Sequence, residues 1–193
     1  MKKLFLVLAV ACFTLTANAQ DESKFIVKAG VGMSTLVGKD TKNTKANFAY
    51  KLGVAYDASL SDNFAIRPGL ELVNKGYKYK TGITVSINMF YLQVPVLAAY
   101  KINIGDNKLV LQAGPYVSYG IFGSEIDWGG GEKTKIFDKD EGGFKRFDAG
   151  VMAGVNYEFS QFLVGVEYSR GLAKLSDYKQ YHQAFGVVVG YKF

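Results

Sequence analysis

A single histidine, His182, stands close to Asp177 and Tyr181 near the end of a 193-residue chain. Nucleophilic catalysis would need it to converge with an activated hydroxyl and an orienting acid. Nothing in the order of residues marks a serine for that role, so His182 reads as a solvated residue of a loop. A lipid-modifying enzyme built on it is the minor alternative. Carboxylates gather in Asp127-Trp128-Gly129-Gly130-Gly131-Glu132 and in Asp138-Lys139-Asp140-Glu141-Gly142-Gly143. Oxygen ligands at alternate positions followed by glycine suit a hard cation such as calcium, but full EF-hand spacing is missing. Trp128, Asp138 and Asp140 therefore stand as weak loop-binding candidates, Trp128 as a ring that could stack on a sugar or a partner. No catalytic residue, resident metal or cofactor is expected. Gly30-Val31-Gly32 does not continue into a dinucleotide-binding fingerprint.

The remaining candidates are ionised residues, and their spacing follows a rule. Lys28, Lys51, Asp57, Arg67, Glu71, Lys75, Lys101, Asp148, Glu158, Glu167 and Lys192 all share one parity with glycine and small residues inside alternating segments. The opposite parity, which includes Leu52, Val54, Ile66, Leu70, Val94, Leu111, Val151, Val164 and Val187, holds no charge. Period-two alternation of this kind is a strand signal, because successive side chains leave a strand on opposite faces. Composition agrees: 22 Gly, 14 Phe and 13 Tyr with only 3 Pro suit pleated surfaces and tight turns.

Eight strands are expected, roughly at 24–35, 48–60, 63–77, 86–101, 108–121, 146–159, 161–172 and 183–193. A soluble sandwich would put the large apolar residues inside and the charges in water. A membrane barrel does the reverse. The charged face is also the glycine face, as a narrow eight-strand lumen needs. Its six basic and five acidic residues nearly balance, which suits pairing in a closed interior. The apolar face runs unbroken over about ten residues per strand, close to what a tilted strand needs to cross a bilayer. The expected fold is an all-β, eight-stranded antiparallel up-and-down transmembrane barrel. Its polar lumen would be plugged by Lys28, Lys51, Asp57, Arg67, Glu71, Asp148, Glu158 and Glu167, with the apolar set above facing lipid.

Connections alternate. Ser61-Asp62-Asn63, Asn103 to Asn107 and Ser160-Gln161 are short, whereas Leu36–Asn47, Lys78–Val85, Phe122–Lys145 and Ala173–His182 are longer. That pattern matches short periplasmic turns and long external loops, with both mature termini periplasmic. Aromatics near strand ends, among them Phe25, Tyr100 and Phe162 on one side and Tyr77, Phe90, Tyr119 and Phe185 on the other, suit two interfacial girdles. Ahead of the first strand, Met1-Lys2-Lys3, an apolar stretch from Leu4 to Leu15 and Ala17-Asn18-Ala19 read as a secretory signal peptide. Cleavage after Ala19 divides the chain into residues 1–19 and a barrel domain, 20–193. It also removes Cys12, the only cysteine. A net charge of +6 without a Lys/Arg block argues against nucleic acid.

The segments Tyr91-Leu92-Gln93-Val94-Pro95-Val96-Leu97, Gln112-Ala113-Gly114-Pro115-Tyr116-Val117-Ser118-Tyr119, Phe147-Asp148-Ala149-Gly150 and Gly190-Tyr191-Lys192-Phe193 resemble the small outer-membrane β-barrel ("porin family") proteins of Bacteroidetes. Those proteins are similar in architecture to outer-membrane proteins A and X. The resemblance implies a non-enzymatic, monomeric outer-membrane protein whose loops serve surface interaction or envelope stabilisation, a small-solute channel being the alternative. It implies contact with outer-membrane lipid and lipopolysaccharide, and with the barrel-assembly machinery, for which Phe193 would be the signal. Pro68, Pro95 and Pro115 fall inside strands of a barrel that has no edge, and bulges are the expected way to accommodate them.

Overall fold

The computed structural model describes residues 24–39, 41, 43–81, 83–123, 125–127, 133–137, 144–175 and 179–193, the side chains of 80–85 and 125–135 excepted. Eight strands form a closed barrel: β1 (Lys24–Gly38), β2 (Thr44–Ser61), β3 (Phe64–Thr81), β4 (Ile83–Ile104), β5 (Asn107–Gly123), β8 (Phe147–Phe159), β9 (Phe162–Gly171) and β10 (Gln180–Lys192). Two short strands, β6 (Glu125–Asp127) and β7 (Lys133–Lys135), pair separately within the connection from β5 to β8. Every barrel neighbour is antiparallel, and β1 closes on β10 from Ile26↔Lys192 to Gly38↔Gln180. Phe193 extends this closure by donating its N–H to the carbonyl of Phe25 at 2.9 Å.

At one end the joints are two residues each: Asp62-Asn63, Gly105-Asp106 and Ser160-Gln161. Gly105 and Ser160 take positive φ there, 60° and 51°, as tight reversals require. The other end carries the longer excursions, but one differs from expectation. The stretch 78–85 is a continuation of the β3–β4 hairpin, paired as far as Thr81↔Ile83. Tyr79 packs against the cap described below, so the strands keep their ladder beyond the girdle.

Alternation sorts the side chains. Leu52, Val54, Leu70, Leu111, Val151, Val164 and Val187 stand 43–60% exposed on the outer wall, with Ile66 and Val94 half-buried beside them. A soluble monomer does not carry an apolar belt of this extent. Tyr77 belongs to the lumen and not to a girdle, being 7% exposed and turned inward.

The three prolines sit at interruptions, not bulges. Pairing skips 56–57 against 67–68, 69–70 against 94–95, and 96–97 against 114–115, and the register is the same on both sides of each gap. Each gap contains one proline, Pro68, Pro95 and Pro115 in turn, which supplies no N–H to the ladder, and the strands stay aligned through their remaining bonds. True irregularities lie elsewhere: near Phe90/Tyr91, at Ser59/Ser61, and between Ala46 and Lys51, where β2 carries one extra residue relative to β3. At that last bulge the Ser34 hydroxyl, from β1, accepts from the N–H of Gly76 and donates to its carbonyl, both at 2.7 Å. A side chain thus replaces the ladder bonds that the bulge removes.

Candidate functional site

The lumen is filled in tiers. Nearest the two-residue turns, the Arg67 guanidinium on β3 donates to Asp57 on β2 at 2.9 Å and to Glu158 on β8 at 2.6 Å. Lys192 reaches Asp57 and Glu158, each at 2.9 Å, and Lys101 reaches Asp57 at 3.3 Å. One tier further along, Lys28 joins Glu71 at 2.6 Å and Glu167 at 3.2 Å. Lys51 also pairs with Glu167, while Gln93 and Gln112 donate to Glu71 and Glu167. Above these, Lys75 meets Asp148 at 2.9 Å, and the Tyr116 hydroxyl donates to the same carboxylate at 3.2 Å. Nine of the eleven ionised residues singled out by parity are 0–6% exposed, with Lys51 and Lys192 partly exposed.

These pairs tie together strands that are not neighbours in the barrel, β1 to β9 across β10 and β3 to β8 across β4 and β5. A buried charge is tolerated only when paired and hydrogen-bonded, so the tiers depend on one another. Glycine shares this face for a steric reason. A Cβ on Gly53 would lie 2.8 Å from Cγ of Glu71, and one on Gly154 would lie 2.9 Å from Cγ of Glu167. The missing side chains leave room for the stems of the acids. A cavity of about 60 Å³ lies beside Lys51, Lys75 and Gln93, enough for a few waters.

The opposite mouth is filled differently. Leu36, Val73, Tyr77, Ile87, Met89 and Tyr91 from the strands form an apolar cluster with Ile136, Phe137 and Leu175 from the long connections. Phe137 sits against Gly120, where a Cβ would come within 2.5 Å of the ring. It also meets Tyr91 edge-on at 5.7 Å and lies under the Arg146 guanidinium at 5.0 Å. A backbone bond from Phe144 to Ile136 folds the β5–β8 connection on itself, and one from Lys145 to Leu175 ties it to the β9–β10 connection over the mouth. The expectation of a polar lumen throughout is therefore corrected: the end nearest the long connections is apolar. An apolar pair, Ile136-Phe137, inside an otherwise charged loop was the available signal.

His182 is corrected as well. It lies on β10 and not in a loop, is 1% exposed, and faces the lumen. Its Nε2 is 3.1 Å from the Tyr91 hydroxyl, the rings meeting edge-on at 5.3 Å. Among the described residues no serine or threonine hydroxyl bonds it, and no group of three His, Cys, Asp or Glu side chains could hold a metal. Trp128, Asp138, Asp140 and Asp177 lie outside the described residues, as does the stretch 1–19. Sequence reasoning also missed Tyr91, Tyr116, Gln93 and Gln112, neutral residues whose partners come from distant strands.

With this geometry in hand, comparison with known proteins is specific about family and general about role. The profile of the family described as "Outer membrane protein beta-barrel domain" matches residues 18–177. Among solved structures, Ail, the attachment invasion locus protein of Yersinia pestis, superposes with a TM-score of 0.53 at 15% identity, over 89% of this chain and 99% of that one. Neisserial surface protein A gives 0.54 at 14% identity, over 90% and 100%. The outer membrane enzyme PagL gives 0.53 at 14%, over 86% and 98%. Identities this low speak to the fold alone. No curated protein matches the chain.

Proposed function

The chain belongs to the outer membrane protein β-barrel domain family, and from that premise we propose that it is a plugged, non-enzymatic barrel of a Gram-negative outer membrane, acting through its external loops and outer wall. The observation that carries this reading is the cross-braced lumen closed by the Ile136–Phe137–Leu175 cap. Both mature termini are periplasmic in this reading, on the side of the two-residue turns, and the signal peptide is removed after Ala19. The exposed ring of Phe193 is available to the assembly machinery before the barrel closes. The protein works as a monomer in contact with outer-membrane lipid and lipopolysaccharide, and the short segments around Pro95 and Pro115 support a Bacteroidetes subgroup as the narrower assignment.

PagL is an outer membrane enzyme, but the buried His182 speaks against lipid chemistry in this chain. Its ring faces the lumen and lies against Tyr91, which in turn meets Phe137 of the cap. The channel alternative is tested directly. Purified barrel inserted in planar bilayers is expected to give no steady single-channel current; a reproducible open conductance from the unaltered protein refutes the plugged reading.

A further inference from the structure

The outer wall departs in two places from the rule that this face carries no charge: at Arg170, which opposes Val151 and donates to Gln183 at 2.8 Å, and beside a bulge in β2. The extra residue of β2 between Ala46 and Lys51 exchanges the two faces of the strand beyond it. On the turn side Lys51 points inward to Glu167. Beyond the bulge Ala46 opposes Tyr77, whose ring is buried in the cap, so its neighbour Lys45 turns outward and stands directly opposite Lys78. Neither lysine has an ion pair among the described residues. Like charges set opposite each other in a ladder repel, and an anion between them would reverse the sign of that contact.

On the turn side of this pair lies an outward aromatic platform. Phe48 and Tyr50 are 6.2 Å apart, Tyr50 meets Phe90 edge-on at 5.9 Å, and Phe90 stacks on Phe122 at 4.3 Å. The platform runs from β2 to β5, about 14 Å across. Tyr50 and Phe90 belong to strands on either side of β3, so their contact crosses over it, at the level of Asn74, the cross-strand partner of Phe90. Val73 and Lys75 face the lumen, which leaves Asn74 on the outer face. It is 3% exposed, and neither atom of its amide has a partner. It lies four residues below Lys78, roughly 10 Å of depth on a strand tilted by about 40°.

We propose that this patch holds one phosphorylated glycolipid of the outer leaflet. A phosphate sits between Lys45 and Lys78, and the acyl chains lie along Phe48, Tyr50, Phe90 and Phe122. Where the Tyr50 and Phe90 rings part to admit the chains, the ester or amide group that joins a chain to the sugar meets the otherwise covered amide of Asn74. The width of the platform suits a lipid with several chains. The site rests on the orientation argued above, with the longer connections outside.

Native mass spectrometry of the full mature barrel in detergent micelles tests it, using bis-phosphorylated lipid A, its dephosphorylated form, phosphatidylglycerol or inorganic phosphate as the added probe. One bis-phosphorylated lipid A is expected to stay bound, and the double variant Lys45→Gln/Lys78→Gln weakens it about thirtyfold. Asn74→Ala weakens it several-fold at constant heat-modified gel migration. Equal retention of the dephosphorylated lipid, tighter retention of phosphatidylglycerol, saturation by inorganic phosphate alone, or unchanged binding by the double variant each overturns the proposal. Labelling of Lys45→Cys on intact cells by a membrane-impermeant maleimide reads orientation separately. Silence there overturns the orientation, and labelling with unaltered lipid binding overturns the site alone.

Discussion

The two ends of the lumen are enclosed by the same wall and filled by opposite chemistry. Toward the short turns the filling consists of strand residues, Arg67, Asp57, Glu158, Lys28, Glu71 and Glu167, each held by a partner on another strand. Toward the long connections it is an apolar cluster completed by Ile136, Phe137 and Leu175. The first kind of filling cannot leave without opening the barrel, because its charges are anchored to the ladder itself. The second kind is delivered by loops and can undock while the ladder stays intact. Buried ion pairs are concentrated in the braced part, and loop-borne packing in the capped part.

Breaking the braced part produces the largest effect. Arg67→Ala takes from Asp57 and Glu158 the guanidinium they share and leaves Lys192 and Lys101 as their partners, and removal of one member of a buried pair costs about 3–5 kcal/mol. Urea unfolding in lipid vesicles measures this, and a loss below about 1 kcal/mol would mean that water already screens the tier. The wall comes next. Val54, 47% exposed on the outer face, should lose ~2–4 kcal/mol on Val54→Arg if it lies near the bilayer midplane. Ala55 is no neutral control for that change, because it is buried with Ile26, Leu163 and Val188 and an arginine there would overpack the lumen. The cap gives the smallest global effect. Phe137→Ala should lower barrel stability by less than about 1 kcal/mol, because undocking a loop is a local opening. It should nonetheless expose Met89→Cys, beneath the cap, to a soluble thiol reagent in a Phe137→Ala background. Full unfolding of the barrel by Phe137→Ala would erase the distinction between the two ends.

Much of this was legible from parity. Charges such as Glu71 and Glu167 recur two residues apart from glycine and small side chains, and only an inward face explains why they avoid Leu70 and Val166. Turn spacing likewise announced the alternation of short and long joints. His182 was misread because the strand that carries it starts three residues before the alternation becomes regular, at Gln180. Lys45 was hidden for a different reason: a bulge reverses parity without leaving a mark in composition. The prolines misled because a barrel with many intact bonds tolerates an isolated gap without shifting register.

The linear order of residues was sufficient for the period of the strands, the side on which charge must lie and the end at which the long excursions emerge. These follow from the geometry of a single strand and the cost of exposing charge to hydrocarbon. Which carboxylate answers which cation, where the bulge turns a lysine outward, and that a loop supplies the apolar stopper were decided only on closure. Strand tilt and stagger bring together residues as distant as Lys28 and Glu167, and those offsets belong to the cylinder as a whole.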